Sequence, residues 1–226
     1  MEYSDIIERL EQIGDPSAAE GMAKFGITAN KIYGVSIPNL RMLAKEIGKD
    51  HSLAQELWNM NSRETRILAS MVDNPKFLSE KQMDSWVRDF DSWEVCDQCI
   101  MNLFEKVPVA WDKAVEWSAD DSEFVKRAGF VMMARLAVSD KVAGDARFMP
   151  FFPIIRSEAV DSRNFVKKAV NWALRQIGKR NPNLNSIACS EARAIMEMDD
   201  KSARWIATDA LRELESEAVR ARLGIT

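Results

Sequence analysis

The sequence predicts an all-α fold: a solenoid of antiparallel helix pairs forming a curved superhelix with a concave face. Three observations carry that expectation. Turn formers are scarce, with 9 Gly and 7 Pro in 226 residues, about 7% where the average is near 12%. That leaves room for long helices and short connections but little for a many-stranded sheet. Apolar residues recur at helical spacing along most of the chain. Finally, one supersecondary unit repeats. The whole chain, 1–226, is accordingly read as a single repeat domain, and 46% hydrophobic with 29% charged residues is an ordinary globular balance rather than a disordered or collagenous one.

Residues 1–50 supply N-terminal helices. Ser36 precedes Pro38 in SIPNLRMLAKEI, where a proline in the first turn loses no hydrogen bond, and Gly48 ends the stretch as a C-terminal glycine should. Five helix pairs follow, at about 52–73, 79–106, 109–139, 146–180 and 184–222. Ser62, Ser92, Ser122, Ser162 and Ser202 each precede the second helix of a pair, at spacings of 30, 30, 40 and 40 residues. A serine hydroxyl there accepts from a free N–H of the first turn. The helices they open read SRETRILAS, SWEVCDQCI, SEFVKRAGF, SRNFVKKAV and SARWIATDA. A period of 30 to 40 residues built of helix pairs is the signature of HEAT-like or armadillo-like arrays. In such arrays the second helices lie side by side, so residues at matching offsets become neighbours.

Several classes of function are excluded or disfavoured. One histidine, His51, leaves no multi-histidine metal site. Cys96, Cys99 and Cys189 are an odd number in a chain large enough to bury a core, which points to a reducing compartment. The C-x-x-C of Cys96 and Cys99 lies in a helical pattern with no second pair for zinc, so both are read as small core residues. The N-terminus is acidic and amphipathic rather than a signal peptide, and no apolar run approaches the ~18 residues that cross a bilayer. No membrane association, no metal and no cofactor are expected, and the expected location is cytoplasmic. The net charge is −4, yet Arg163, Lys167, Lys168, Arg175, Lys179 and Arg180 cluster between Ser162 and Ser190 with no acidic residue among them. That asymmetry fits an anion-binding surface, or a solvated helix face.

Candidate chemistry gathers on the second helices. From Arg163 to Lys179, Val166, Ala169, Val170, Ala173, Leu174 and Ile177 share one arc at 100° per residue, a core stripe. Opposite it fall Phe165, Lys168, Trp172, Arg175 and Lys179. These aromatics either pack under a neighbouring helix or, interleaved with cations, form a platform for a sugar-phosphate backbone. In the helix after Ser92, Trp93, Asp97, Ile100 and Phe104 share a face. A carboxylate among apolar neighbours is costly unless something cationic meets it, so Asp97 either serves a neighbouring helix terminus or Arg127, or serves chemistry. Arg127 lies among Phe124, Val131 and Ala134, as half of a salt bridge or as a phosphate clamp.

The segments YGVSIPNLR (33–41), DSWEVCD (91–97), FVKRAGF (124–130) and NFVKKAVNWALRQIGK (164–179) resemble the AlkD-like family of DNA alkylation-repair proteins, over about residues 20–214. The resemblance implies HEAT-like repeats and a DNA glycosylase that removes N3- and N7-alkylated purines from duplex DNA without drawing the lesion into a base pocket. It implies Asp97 as the catalytic aspartate, Trp93 and Trp172 as tryptophans lining the lesion's deoxyribose, and Arg127 as an arginine on the backbone beside it. Arg175 and Lys179 match phosphate contacts by their face; Lys168, Phe165 and Arg163 complete the expected DNA-binding set. The segment SWEVCD carries one tryptophan where well-known members have two. The partner expected is duplex DNA containing alkylated bases, met by a monomer. The competing readings are a catalytically inactive HEAT-like DNA-binding module and a protein-binding scaffold.

Overall fold

A computed structural model describes residues 1–27 and 29–225. Among the described residues there are fourteen α-helices and no strand. Two compact units share the chain, Met1–Val107 and Pro108–Thr226. The first holds α1 (Tyr3–Ile13), α2 (Pro16–Ala23), α3 (Ile37–Ile47), α4 (His51–Asn59), α5 (Arg63–Val72), α6 (Glu80–Arg88) and α7 (Trp93–Asn102). The second holds α8 (Ala110–Ser118), α9 (Glu123–Ser139), α10 (Phe151–Ser157), α11 (Asn164–Gly178), α12 (Pro182–Met196), α13 (Lys201–Leu214) and α14 (Glu217–Leu223).

The paired organisation follows from what packs on what. Within pairs, α4 lies on α5, α8 on α9 and α12 on α13. Between pairs, second helices lie against second helices: α5 on α7, α9 on α11 and α11 on α13. Hydrogen bonds record the same repeat. In the first unit Arg63 reaches Glu94 and Trp58 reaches Asp89, each 31 residues on. In the second, Arg127 reaches Phe165, Asn171 reaches Asp209 and Arg175 reaches Glu213, each 38 residues on. A constant offset across several contacts means that the same structural step is taken each time.

Helix starts follow side-chain capping, though not always at the expected serine. Ser36 accepts from Asn39 N–H, Ser62 from Thr65 N–H and Ser92 from Val95 N–H, and Gly48 ends α3 at φ 83°. Three serines are corrections. Ser122 occupies the cap position of α9 but its side chain makes no capping bond; its own N–H goes to Asp120 instead. Ser162 stands before the cap of α11, which is Arg163, because Asp161 takes both the Arg163 N–H and its guanidinium and sets the entry there. Ser202 is inside α13, whose cap is Asp200. A carboxylate that accepts from Ser202 and Ala203 N–H at 2.7 and 3.0 Å starts the helix earlier. Phe104 is also corrected: α7 stops at Asn102, Leu103 leaves helical geometry at φ −134° and ψ −60°, and Phe104 sits in a 3-10 turn. It is drawn into the core beside Trp86 and Phe90, with ring centroids 6.3 and 6.4 Å away.

The expected stripe of α11 is the core of the second unit: Val166, Ala169, Val170, Ala173, Leu174 and Ile177 are all fully buried. Close helix crossing fixes α8 on α9. A Cβ added at Gly129 would lie 2.4 Å from the Ser118 nitrogen and 2.9 Å from the Ala114 carbonyl oxygen. The three cysteines are free and buried. Among the described residues no helix is long and apolar enough to cross a membrane.

Candidate nucleic-acid interface

In the first unit, the start of α7 carries the indole and carboxylate singled out in the sequence. Ser92 caps the helix, which sets Trp93 at its first position and Asp97 one turn further along. Trp93 is half-buried, and its indole N–H donates to the Phe25 carbonyl at 2.9 Å, fixing the ring. Asp97 is 8% exposed, among Val95, Cys96, Cys99 and Ile100, which are fully buried.

Beside Trp93 lies a buried ionic cluster that the sequence reading missed. Arg63 donates to both oxygens of Glu94, at 2.6 and 2.9 Å, and to Val35 O and Glu64 at 2.8 Å each. Glu64, fully buried, accepts from the backbone N–H groups of Tyr33, Gly34 and Val35. Burial works against the charge of Arg63, but the hydrogen bond and proximity of Glu94, with Glu64, outweigh it and raise its pKa. The cluster clamps the 33–35 segment to α5 and ties α5 to the first turn of α7. A carboxylate satisfied by three amides and a guanidinium needs its whole set, since an unmatched member would leave a buried charge.

In the second unit, Arg127 is buried on α9 and donates to the Phe165 carbonyl of α11 at 2.7 Å. Phe165 is half-buried, its ring 5.6 Å from that of Phe124. Trp172 is half-buried and Lys168 exposed on α11. The other cations of this face hold carboxylates of the same chain. Arg163 grips Asp161 with Nε and Nη2 at 3.0 and 2.5 Å. Arg175 pairs with Glu213 and lies 3.6 Å from Asp209, while Lys179 reaches Glu213 at 2.5 Å. Burial would push the Glu213 carboxyl up, but the Lys179 ammonium and the Arg175 guanidinium hold it below the ordinary glutamate value. Asp161 behaves alike, burial being outweighed by its hydrogen bonds from Arg163. Lys167 lies over the ring of Trp205 at 5.0 Å, adding an aromatic from α13.

Thus Trp93 with Asp97 belongs to the first unit, and Arg127, Phe165, Lys168, Trp172, Arg175 and Lys179 to the second. Asp209 and Glu213 of α13 are participants that no local motif suggests. Their 38-residue offset from Asn171 and Arg175 is the signal that could have found them.

These helix pairs, with indoles, a low-exposure carboxylate and cations on second helices, define a repeat protein of the HEAT-like class. The profile of the family described as DNA alkylation repair enzyme matches residues 6–214, and the chain belongs to that family. A solved structure covers 100% of this chain, and 97% of its own, at a TM-score of 0.81 and 20% identity. That protein is described as one of a new family related to the HEAT-like repeat DNA glycosylases with affinity for branched DNA structures. An engineered protein covers 78% of this chain and 90% of its own at 13% identity and a TM-score of 0.39. A designed armadillo repeat protein in complex with a (KR)4 peptide covers 96% and 85% at 14% identity and 0.39. No curated protein sequence matches the chain.

Proposed function

We propose that this protein is a DNA glycosylase that hydrolyses the N-glycosidic bond of cationic N3- or N7-alkylated purines in duplex DNA. The observation that carries the reading is Asp97, a carboxylate 8% exposed one turn after the pinned indole of Trp93, in a chain of the DNA alkylation repair enzyme family. Breaking the bond builds oxocarbenium-like charge on the sugar. An alkylated purine is already cationic and leaves with the bonding electron pair as a neutral base, so no general acid is needed. Water adds to C1′, and its proton passes to the carboxylate or to solvent. Asp97 steadies the developing charge and orients that water, and the face of Trp93 adds cation–π attraction. A fixed anion in a partly dry site is worth far more than one in bulk water. Arg127 and Lys168, with Phe165, Arg163, Arg175 and Lys179, serve the DNA backbone. The protein acts as a monomer, in the cytoplasm and on the nucleoid.

The test is release of 7-methylguanine and 3-methyladenine from methylated duplex DNA. Asp97→Asn lowers the rate by about a hundredfold or more while low-salt DNA affinity and thermal stability stay near those of the parent. Release by the variant at the parent rate rules the mechanism out.

A second reading has its own support. A protein similar in fold is described by its affinity for branched DNA structures. On this reading the chain is a DNA-binding module without catalysis. It binds branched or duplex DNA in a salt-dependent way, and the parent protein frees no base from methylated DNA.

A further inference from the structure

The second unit holds a cleft that the glycosylase reading touches only at Lys179. It lies beside the ends of α9 and α11, has a volume of about 580 Å³, and its wall includes Lys141, Gln176, Lys179, Arg180, Asn181 and Arg222. No Asp or Glu is among the described residues that line it. Three acidic groups adjoin lining residues: Glu213 pairs with Lys179 and Arg175, Asp145 accepts from the side-chain amides of Asn181 and Asn183, and Asp140 accepts from the backbone N–H groups of Val142 and Ala143.

What separates this cleft from the α11 face is the nature of the partners that order its cations. Arg180 donates to the carbonyls of Ala137 and Ala143 at 3.0 and 2.6 Å, and its guanidinium carbon lies 4.8 Å from the centroid of the Phe148 ring. Arg222 donates to the Lys179 carbonyl at 2.8 Å. A carbonyl fixes a guanidinium in place without cancelling its charge, whereas a carboxylate does both. Lys141 is exposed and meets no carboxylate among the described residues. Two helix C-termini contribute only about half a negative charge each. With Lys179 offset by Glu213, the lining itself still carries three full cations, Lys141, Arg180 and Arg222, and no carboxylate.

We propose that this cleft binds phosphate groups. Two pre-oriented guanidinium forks and an exposed ammonium are strong charge-assisted donors to phosphate oxygens. The phosphate is supplied either by a nucleic-acid backbone or by a free oligophosphate, and the inference stands apart from the glycosylase reading.

Lys141→Gln combined with Arg222→Gln removes two exposed charges and leaves the buried core of the unit intact. Inorganic pyrophosphate, followed by 31P NMR at low salt, binds the parent and binds the double variant about tenfold more weakly. In parallel, duplex-DNA affinity is measured by anisotropy across a salt series. A slope of log affinity against log salt that is shallower by about 1.8 in the variant assigns the phosphate to a DNA backbone. Loss of pyrophosphate binding with an unchanged DNA slope assigns it to a free oligophosphate. No change in either arm overturns the proposal. A parent protein that binds no DNA at all sinks the glycosylase reading, while the pyrophosphate arm still decides the cleft.

Discussion

Replacing Glu213 by Gln tests whether the cations of α11 are restrained by the protein's own carboxylates. In the native chain one glutamate holds both Arg175 and Lys179. Its side chain is 29% exposed, so the ion pairs are partly screened and their loss costs about 1–2 kcal/mol of stability. The same change frees charge for a ligand. Each cation that neutralises a phosphate contributes about 0.9 to the salt slope. Lys179 is freed outright, but Arg175 keeps Asp209 at 3.6 Å, so the slope steepens by about 0.9 to 1.8. DNA binding is followed by fluorescence anisotropy between low and moderate salt, with urea unfolding alongside. The depressed Glu213 pKa supplies a second handle. Its stabilisation is complete above the ordinary glutamate value, near pH 4.3, and is lost as pH falls through the lower folded value. Parent DNA affinity therefore rises, relative to the Gln variant, at the acid end of that window. A variant with unchanged salt slope and unchanged affinity refutes the idea that Glu213 masks a DNA-facing surface.

Two further substitutions test the scaffold around the site. Glu64→Ala leaves Arg63 short of a buried partner and three backbone N–H groups unmatched, a loss of about 3–5 kcal/mol. Fast hydrogen exchange at Tyr33, Gly34 and Val35 is the specific readout, and retained protection there contradicts the clamp. Gly129→Ala drives a methyl against backbone atoms of Ser118 and Ala114, at a cost of about 1–3 kcal/mol that exceeds the ~1 kcal/mol gain in helix propensity. Calorimetry should show a lower Tm; an equal or higher one means that α8 yields freely.

The sequence was most legible where one helix decides the outcome alone. The α11 stripe follows from a 3.6-residue period, because burial of one face needs no knowledge of what covers it. Ser36 and Gly48 were legible for the same reason, as cap chemistry is local. It failed where a competing local acceptor stood nearby: Asp200 outbids Ser202 because a carboxylate takes two amides where a hydroxyl takes one. The Arg63, Glu64 and Glu94 cluster was invisible, since adjacent charges in a first helical turn ordinarily face water. Only the fold brings in partners about 30 residues away. The pairing of Arg175 with Glu213 was hidden likewise, and with it three of the six cations in the basic run, Arg163, Arg175 and Lys179, hold carboxylates of the chain. Asp97 with Trp93 was found by spacing, whereas the tie to Phe25, 68 residues away along the chain, belongs to tertiary structure.

The interior placement of sulfur has a bearing on the conditions in which such a protein works. Cys99 is sealed from solvent, and burial pushes its pKa well up; burial likewise raises that of Cys189. Cys96 is equally enclosed. Methylating electrophiles react with thiolates before thiols and with accessible sulfur before hidden sulfur. Such electrophiles thus find no ready nucleophile among these cysteines.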